Sequence, residues 1–286
     1  RAASVAGEVL ALIDAGDVAE TPYFIAATRA EAHLLRGDVA NAEAALAEAM
    51  ALDPDGWSDH ATTLRQLGLI LANRGQDSSW LDQYRPPRAM HFAGHLGIDS
   101  GGASEANLRA KVDAMLAREK VGFAYGALAA GADIIVAEAV LAAGGQIHLV
   151  LATEVDEFRR QSVAPMGETW AMRFDRILER AESVACATNI KGDHEPLATA
   201  LAAEVAMGAA ALKARLLESE ALQLLILDDE GGGANTARQG DFWTRAGRRQ
   251  VPLTIPRDVP MTSFALRPDM IHPTRRLAAM LDDADS

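Results

Sequence analysis

VGFAYGALAAGADIIVAEAVLAAGGQIHLVL, residues Val121 to Leu151, is the stretch on which the fold of this chain turns. An apolar run, Val121 to Tyr125, enters a turn of small residues between Gly126 and Gly131. A helical pattern then runs from Asp133 to Ala143, is stopped by Gly144-Gly145, and gives way to a second apolar run, Ile147 to Leu151. Strand, glycine-bearing turn, helix, glycine stop and strand follow the order of a βαβ unit. Asp133 stands where it can cap the helix, and Gly144 or Gly145 can take the left-handed conformation that ends it.

The same alternation extends outward in both directions. Ala89 to Ala93 reads as a short strand before Gly94-His95-Leu96-Gly97 and Ser100-Gly101-Gly102, and Asn107 to Arg118 as a helix. Downstream come helices at Phe158–Val163 and Thr169–Ala181, a strand at Ser183–Thr188 and a long alanine-rich helix at Leu197–Glu218. A strand at Ala221–Leu227, a helix at Ala237–Arg248 and a strand at Val251–Ile255 complete the series. The pattern predicts the α/β class over residues 89–256: a Rossmann-like, mostly parallel sheet with helices on both faces. Gly208, inside the long helix, costs stability relative to alanine and predicts a close packing contact.

Residues 1–83 carry helical periodicity with almost no strand signal. Tyr23 to Pro54 has the length and small-residue spacing of one tetratricopeptide unit. Ala30 sits at the helix crossing, Gly37 at the turn, and Ala42, Leu46 and Ala49 on the second helix. An ordinary helical hairpin would carry the same positions. The predicted organisation is a tetratricopeptide-like all-α domain over 1–83, a proline-bearing linker at 84–88, the α/β domain over 89–256, and a linker and tail over 257–286.

A formal charge of −13 argues against a nucleic-acid grip, which needs a basic footprint. No uninterrupted apolar run is long enough to cross a bilayer, and the single cysteine, Cys186, excludes a disulfide framework. The expectation is a cytoplasmic protein without nucleic-acid or membrane partners, with a protein partner on its helical repeats and open to self-association.

Three glycine-rich turns fall at strand carboxyl ends: Gly94 to Gly102, Gly126 to Gly131, and Gly231-Gly232-Gly233 leading to Thr236. Consecutive backbone N–H groups without Cβ atoms can converge on an anion. The candidate ligand-binding residues are Gly94, His95, Gly101, Gly102, Gly126, Gly131, Asp133, Gly231, Gly232, Gly233 and Thr236. Arg159, Arg160 and Arg173 are candidate phosphate contacts, with ordinary surface arginines as the rival reading of each. Glu138 shares a helix face with Ile134 and Leu141. A carboxylate there needs a partner or a purpose, which makes it the candidate acid. His91 and His95 straddle a strand and its turn rather than a helix face, so no metal site is expected. Asp228-Asp229-Glu230 could hold Mg²⁺ beside a phosphate, but reads first as a solvated loop.

The segment Gly126-Ala-Leu-Ala-Ala-Gly131-Ala-Asp133, with Ala137-Glu138 and then Gly144-Gly145, resembles the SLOG superfamily. That group includes the DNA-processing protein DprA/Smf and the LOG nucleotide phosphoribohydrolases. Gly231 to Thr236 likewise resembles the PGGxGT turn of the LOG branch. The resemblance implies a Rossmann-like domain whose glycine turns hold a nucleotide or nucleotide-derived ligand. Gln239 stands where LOG hydrolases carry a glutamate, and Glu138 where DprA carries a histidine. The resemblance therefore points to ligand sensing. A nucleotide phosphoribohydrolase using Glu138, and an interaction scaffold with a vestigial pocket, are the alternatives. The helical repeats, Ser162 to Trp170 with Arg173-Phe174, and Ala206 to Leu217 are similar to bacterial signalling proteins that often carry a class III nucleotidyl cyclase. The segment before QYRPPR resembles the TRAF-binding helical region of such proteins. Thr274 to Leu281 resembles the lead-in to the cyclase domain, implying an output domain beyond Ser286.

Overall fold

The computed structural model describes residues 1–16, 18–188, 196–229 and 234–258. Two compact units emerge. One comprises Arg1–Arg88 with Leu212–Glu220, the other Ala89–Ala211 with the described residues from Ala221 onward.

The first unit contains helices α1 (Ala2–Asp14), α2 (Pro22–Leu35), α3 (Val39–Leu52) and α4 (Trp57–Asn73). Helix α2 starts where Thr21 accepts the Phe24 N–H, with Pro22 in the first turn, where its missing N–H costs nothing. Gly37, at φ +86°, makes the tight turn to Asp38, whose carboxylate accepts the Asn41 N–H and caps α3. Ala30, Leu34, Ala42 and Leu46 are fully buried between α2 and α3, and Leu67 and Leu71 of α4 share their core. Alanines at the crossing let the helices approach closely. This serves the tetratricopeptide and the plain hairpin equally.

The second unit is a six-stranded parallel sheet with interleaved helices, as the alternation implies. In chain order it runs β1 (Arg88–Gly94), α5 (Ala103–Glu119), β2 (Val121–Gly126), α6 (Ala132–Ala142), β3 (Gln146–Leu151), α7 (Val155–Ser162) and α8 (Glu168–Leu178). Then follow β4 (Ser183–Cys186), α9 (Pro196–Leu216), β5 (Leu222–Leu227), α10 (Ala234–Arg245) and β6 (Arg249–Thr254). The spatial order is β4-β3-β2-β1-β5-β6. The chain steps away from β1 through β4, then returns to lay β5 on the other side of β1. The strand order therefore reverses between β1 and β5, where open α/β sheets leave a crevice beyond the strand carboxyl ends.

Alternate residues of β1 face opposite layers. A Cβ on Gly94 would stand 2.3 Å from Cβ of Ala132 on α6, so only glycine lets that helix start so close to the sheet. On the other face His91 stacks on Trp243 of α10, with centroids 6.0 Å apart. His91 begins a polar row in register across three strands, buried at His91 and Gln223 and half-buried at Gln250. Gln223 donates to His91 Nδ1 at 3.1 Å, and Gln250 donates to the Gln223 side-chain oxygen at 2.7 Å. Burial pushes the His91 pKa down to about 3, so the ring is neutral at any ordinary pH.

Three expectations change. Helix α5 begins at Ala103 and α10 at Ala234, several residues earlier than the periodicity suggested. Asp133 lies in the first turn of α6, and the cap position belongs to Gly131 at φ +91°. Gly208 makes no close contact, because no atom stands within 4 Å of where its Cβ would be.

Candidate functional site

The carboxyl end of β1 is held from both sides. On the β2 side, Asp133 reaches back from α6 and accepts the Gly94 N–H at 3.0 Å on one oxygen and the Ala129 N–H at 3.2 Å on the other. Asp133 is buried, and desolvation raises its carboxyl to about 7 against the pull of those two N–H groups. A buried acid with a shifted pKa at a strand end is often functional. Here both oxygens already serve backbone donors, so Asp133 braces β1 to the β2–α6 turn. Gly131 belongs to the same brace: a Cβ there would lie 3.2 Å from the His95 carbonyl, on a backbone that side chains avoid.

On the β5 side, a strap formed by Ile255 to Asp258 follows β6 and crosses the carboxyl ends of β5 and β1. The Ile255 N–H donates to the Leu227 carbonyl at 2.8 Å, and His95 Nε2 meets the Ile255 carbonyl at 2.9 Å. His95 Nδ1 faces the Leu96 carbonyl at 2.7 Å. Both ring nitrogens thus face acceptors, and a neutral ring has one N–H to give them. Arg257 pairs with Asp228 and donates to the Leu96 carbonyl at 3.1 Å. The Asp258 N–H donates to the Gly97 carbonyl at 2.8 Å. The Asp258 carboxylate accepts the Asp99 N–H at 2.9 Å and the Ser104 hydroxyl at 2.6 Å. It therefore sits at the amino end of α5, where the partial positive charge of a 17-residue helix favours an anion.

The remaining candidates separate around this end. Thr236, in the first turn of α10, directs its hydroxyl to the Gly94 carbonyl at 3.4 Å, so the start of α10 reaches the end of β1. Gly101 and Gly102 form the turn into α5, where the Gly101 N–H donates to Glu105 at 2.7 Å. Gly126 lies against Phe92, whose carbonyl oxygen would be 2.7 Å from a Cβ; its role is close strand packing. Gly231, Gly232 and Gly233 lie outside the described residues.

Glu138 does have a partner. Arg173 of α8 binds it bidentately at 2.9 and 2.6 Å, binds Glu105 at 2.7 Å, and lies over the Trp170 ring at 4.3 Å. This acid–arginine–acid cluster ties α5, α6 and α8 together and occupies both Glu138 and Arg173. Arg159 pairs with Asp175 and Arg160 with Glu157. Asp228 is buried against Arg257, not solvated as its loop position suggested.

Sequence reasoning missed Arg257, Asp258, Ser104 and Glu105. A signal existed: a charged pair directly after the last strand of a parallel sheet falls where the other strand-end turns collect.

Among the described residues no group of His, Cys, Asp or Glu could hold a metal ion. A cleft between α9 and α10, lined by Met207, Gln239 and Phe242, offers about 20 Å³, enough for a water molecule but far short of a nucleotide. A larger groove of about 490 Å³, lined by Arg109, Asp113 and Lys120, lies where β2 begins, at the end of the sheet opposite the crevice. In comparisons with known proteins, no family model, no curated protein and no solved structure matches this chain.

Proposed function

We propose that the chain is a regulatory module whose α/β unit senses a nucleotide-derived ligand at the crevice between β1 and β5. What supports this reading above all is convergence. The segments after β1 and β6, Asp228 at the end of β5 and Thr236 at the start of α10 meet where the strand order reverses, which is the position such sheets reserve for ligands. The backbone N–H of Asp99, the Ser104 hydroxyl and the start of α5 supply the donors that a phosphate needs. The SLOG-like pattern of Gly126 to Asp133 and the tetratricopeptide-like spacing of Tyr23 to Pro54 fit a sensor with a protein-binding helical region. A signalling output beyond Ser286 belongs to the same proposal. Glu138, the acid of the hydrolase alternative, is engaged by Arg173, which favours sensing over turnover.

Calorimetry of the full chain against nucleotides, nicotinamide derivatives and cyclic nucleotides tests the reading. Binding heat without product formation is the expected result. Turnover would establish the phosphoribohydrolase alternative, and silence across the panel would leave the scaffold.

A further inference from the structure

We propose that the outer face of α9 is a dimer interface, on which a second copy of the chain lays its own α9 antiparallel, the two helices crossing at Gly208. The inner face of this helix is closed, with Ala202, Ala206, Ala210 and Ala214 buried and Met207 reaching the Gln223 side chain. The opposite face carries Leu201, Val205, Leu212 and Leu216, every one of them 42% exposed or more. At 3.6 residues per turn these four and Gly208 fall within an arc of about 80°. A continuous apolar stripe open to water marks an interaction surface.

Three features select a second copy as its occupant. The first is mirror symmetry along the helix. Leu201 and Leu216 stand equally far from the point between Gly208 and Ala209, and so do Val205 and Leu212. Antiparallel pairing about a two-fold axis therefore sets Leu201 on Leu216 of the second copy and Val205 on its Leu212. Such self-complementarity is what a two-fold interface requires. The second is Gly208 itself. Glycine inside a helix costs stability, and no atom of the chain stands within 4 Å of where a Cβ would be. At the centre of the stripe it lets two backbones approach closely. The third is charge. Glu204 and Arg215 are exposed and border the stripe on one side. The same pairing brings Glu204 of one copy level with Arg215 of the other, to within about 3 Å along the axis. Glu204 reaches Arg238 of its own chain only at 3.7 Å. Leu197–Leu216 is also apolar enough to attract a bilayer, at a mean hydropathy of 1.4. A lipid surface has no use for the mirror symmetry or for the opposed charges, so the second copy is the better fit.

Sedimentation equilibrium of the full chain across the micromolar range tests the interface. One helix pair buries less than a standard interface, so a reversible dimer with a Kd on the order of 10 µM is expected. Gly208→Leu should weaken it at least about tenfold while the thermal melt of the monomer is kept, since the space around residue 208 is open. Gly208→Ala, the milder variant, should weaken it about threefold. A merely sticky face would respond in the opposite sense, because both changes add apolar surface. Register is read by oxidation on a Cys186→Ser background. Val205→Cys mixed with Leu212→Cys should form the mixed disulfide, and neither variant should cross-link to itself. A monomer at every concentration, association undiminished in the Gly208 variants, or self-linking of either cysteine variant would overturn the proposal. So would binding of the wild type to phosphatidylcholine–phosphatidylglycerol vesicles that Gly208→Leu strengthens, which would assign the face to lipid.

Discussion

Two carboxylates flank the carboxyl end of β1, and they differ in one physical respect. Asp133, on the β2 side, is buried and accepts two backbone N–H groups. Asp258, on the β5 side, accepts one N–H and one hydroxyl but is exposed. Water can replace the partners of the second and not of the first. The same chemical group is therefore a buried brace at one position and an exposed cap at the other. Burial decides which, because an unpaired polar group is costly only where water is excluded.

Stability measurements should separate the two. At pH 4, where its contribution is fully present, Asp133→Ala strands the Gly94 and Ala129 N–H groups and opens a small cavity, an expected loss of about 4 kcal/mol in a urea titration. A loss below about 1 kcal/mol would mean the brace is dispensable.

The pH dependence sharpens the contrast, since Asp133 and His91 pull in opposite directions. Asp133 has a folded pKa of about 7 against an ordinary 3.8. Its contribution is fully present below about pH 4 and is lost as pH rises through 7. His91 falls from 6.5 to about 3. Its contribution is present above about pH 6.5 and is lost as pH falls toward 3. Between pH 4 and 6.5 the two slopes offset one another. Asp133→Asn, which removes the first, should leave stability rising with pH across that window, and His91→Asn should leave it falling. Denaturation midpoints at four or five pH values check both signs.

Smaller effects follow outside the brace. Arg173→Ala leaves Glu105 and Glu138 facing each other without their cation, with an expected loss of about 2 kcal/mol. Because Glu138 is partly exposed, the cost stays below that of a fully buried pair. Asp258→Ala should cost less than about 1 kcal/mol, because its carboxylate is exposed and the pair is screened by water. A larger loss would place Asp258 with Asp133 as a brace.

Legibility in the sequence follows the range of the interactions. The central strands carry short apolar runs bounded by turn residues, and these mark themselves locally: Val121 to Tyr125, Ile147 to Leu151 and Ala221 to Leu227 are the plainest. The reversal of strand order left its trace as the long connection through α9. Helix starts were misplaced at α5 and α10 because glycine and asparagine near them read as turn. The site residues were legible only as types. Asp133 has the composition of a cap, and nothing local reveals that its oxygens face Gly94 and Ala129. Ser104 and Asp258 lie 154 residues apart, so their contact exists only once β1 and β6 sit in one sheet. Gly208 misled for the converse reason: a glycine in a helix signals a lost side chain, and here no neighbour fills the space.

The central claim is that ligand binds over β1 and β5, and amide chemical-shift mapping during titration of the full chain with a nucleotide from the panel addresses it most directly. The account predicts the largest shifts at Gly97, Asp99, Ser104, Thr236 and Asp258. Shifts confined to the α9–α10 cleft around Ala203 and Gln239, with the strand-end turns unmoved, would contradict it.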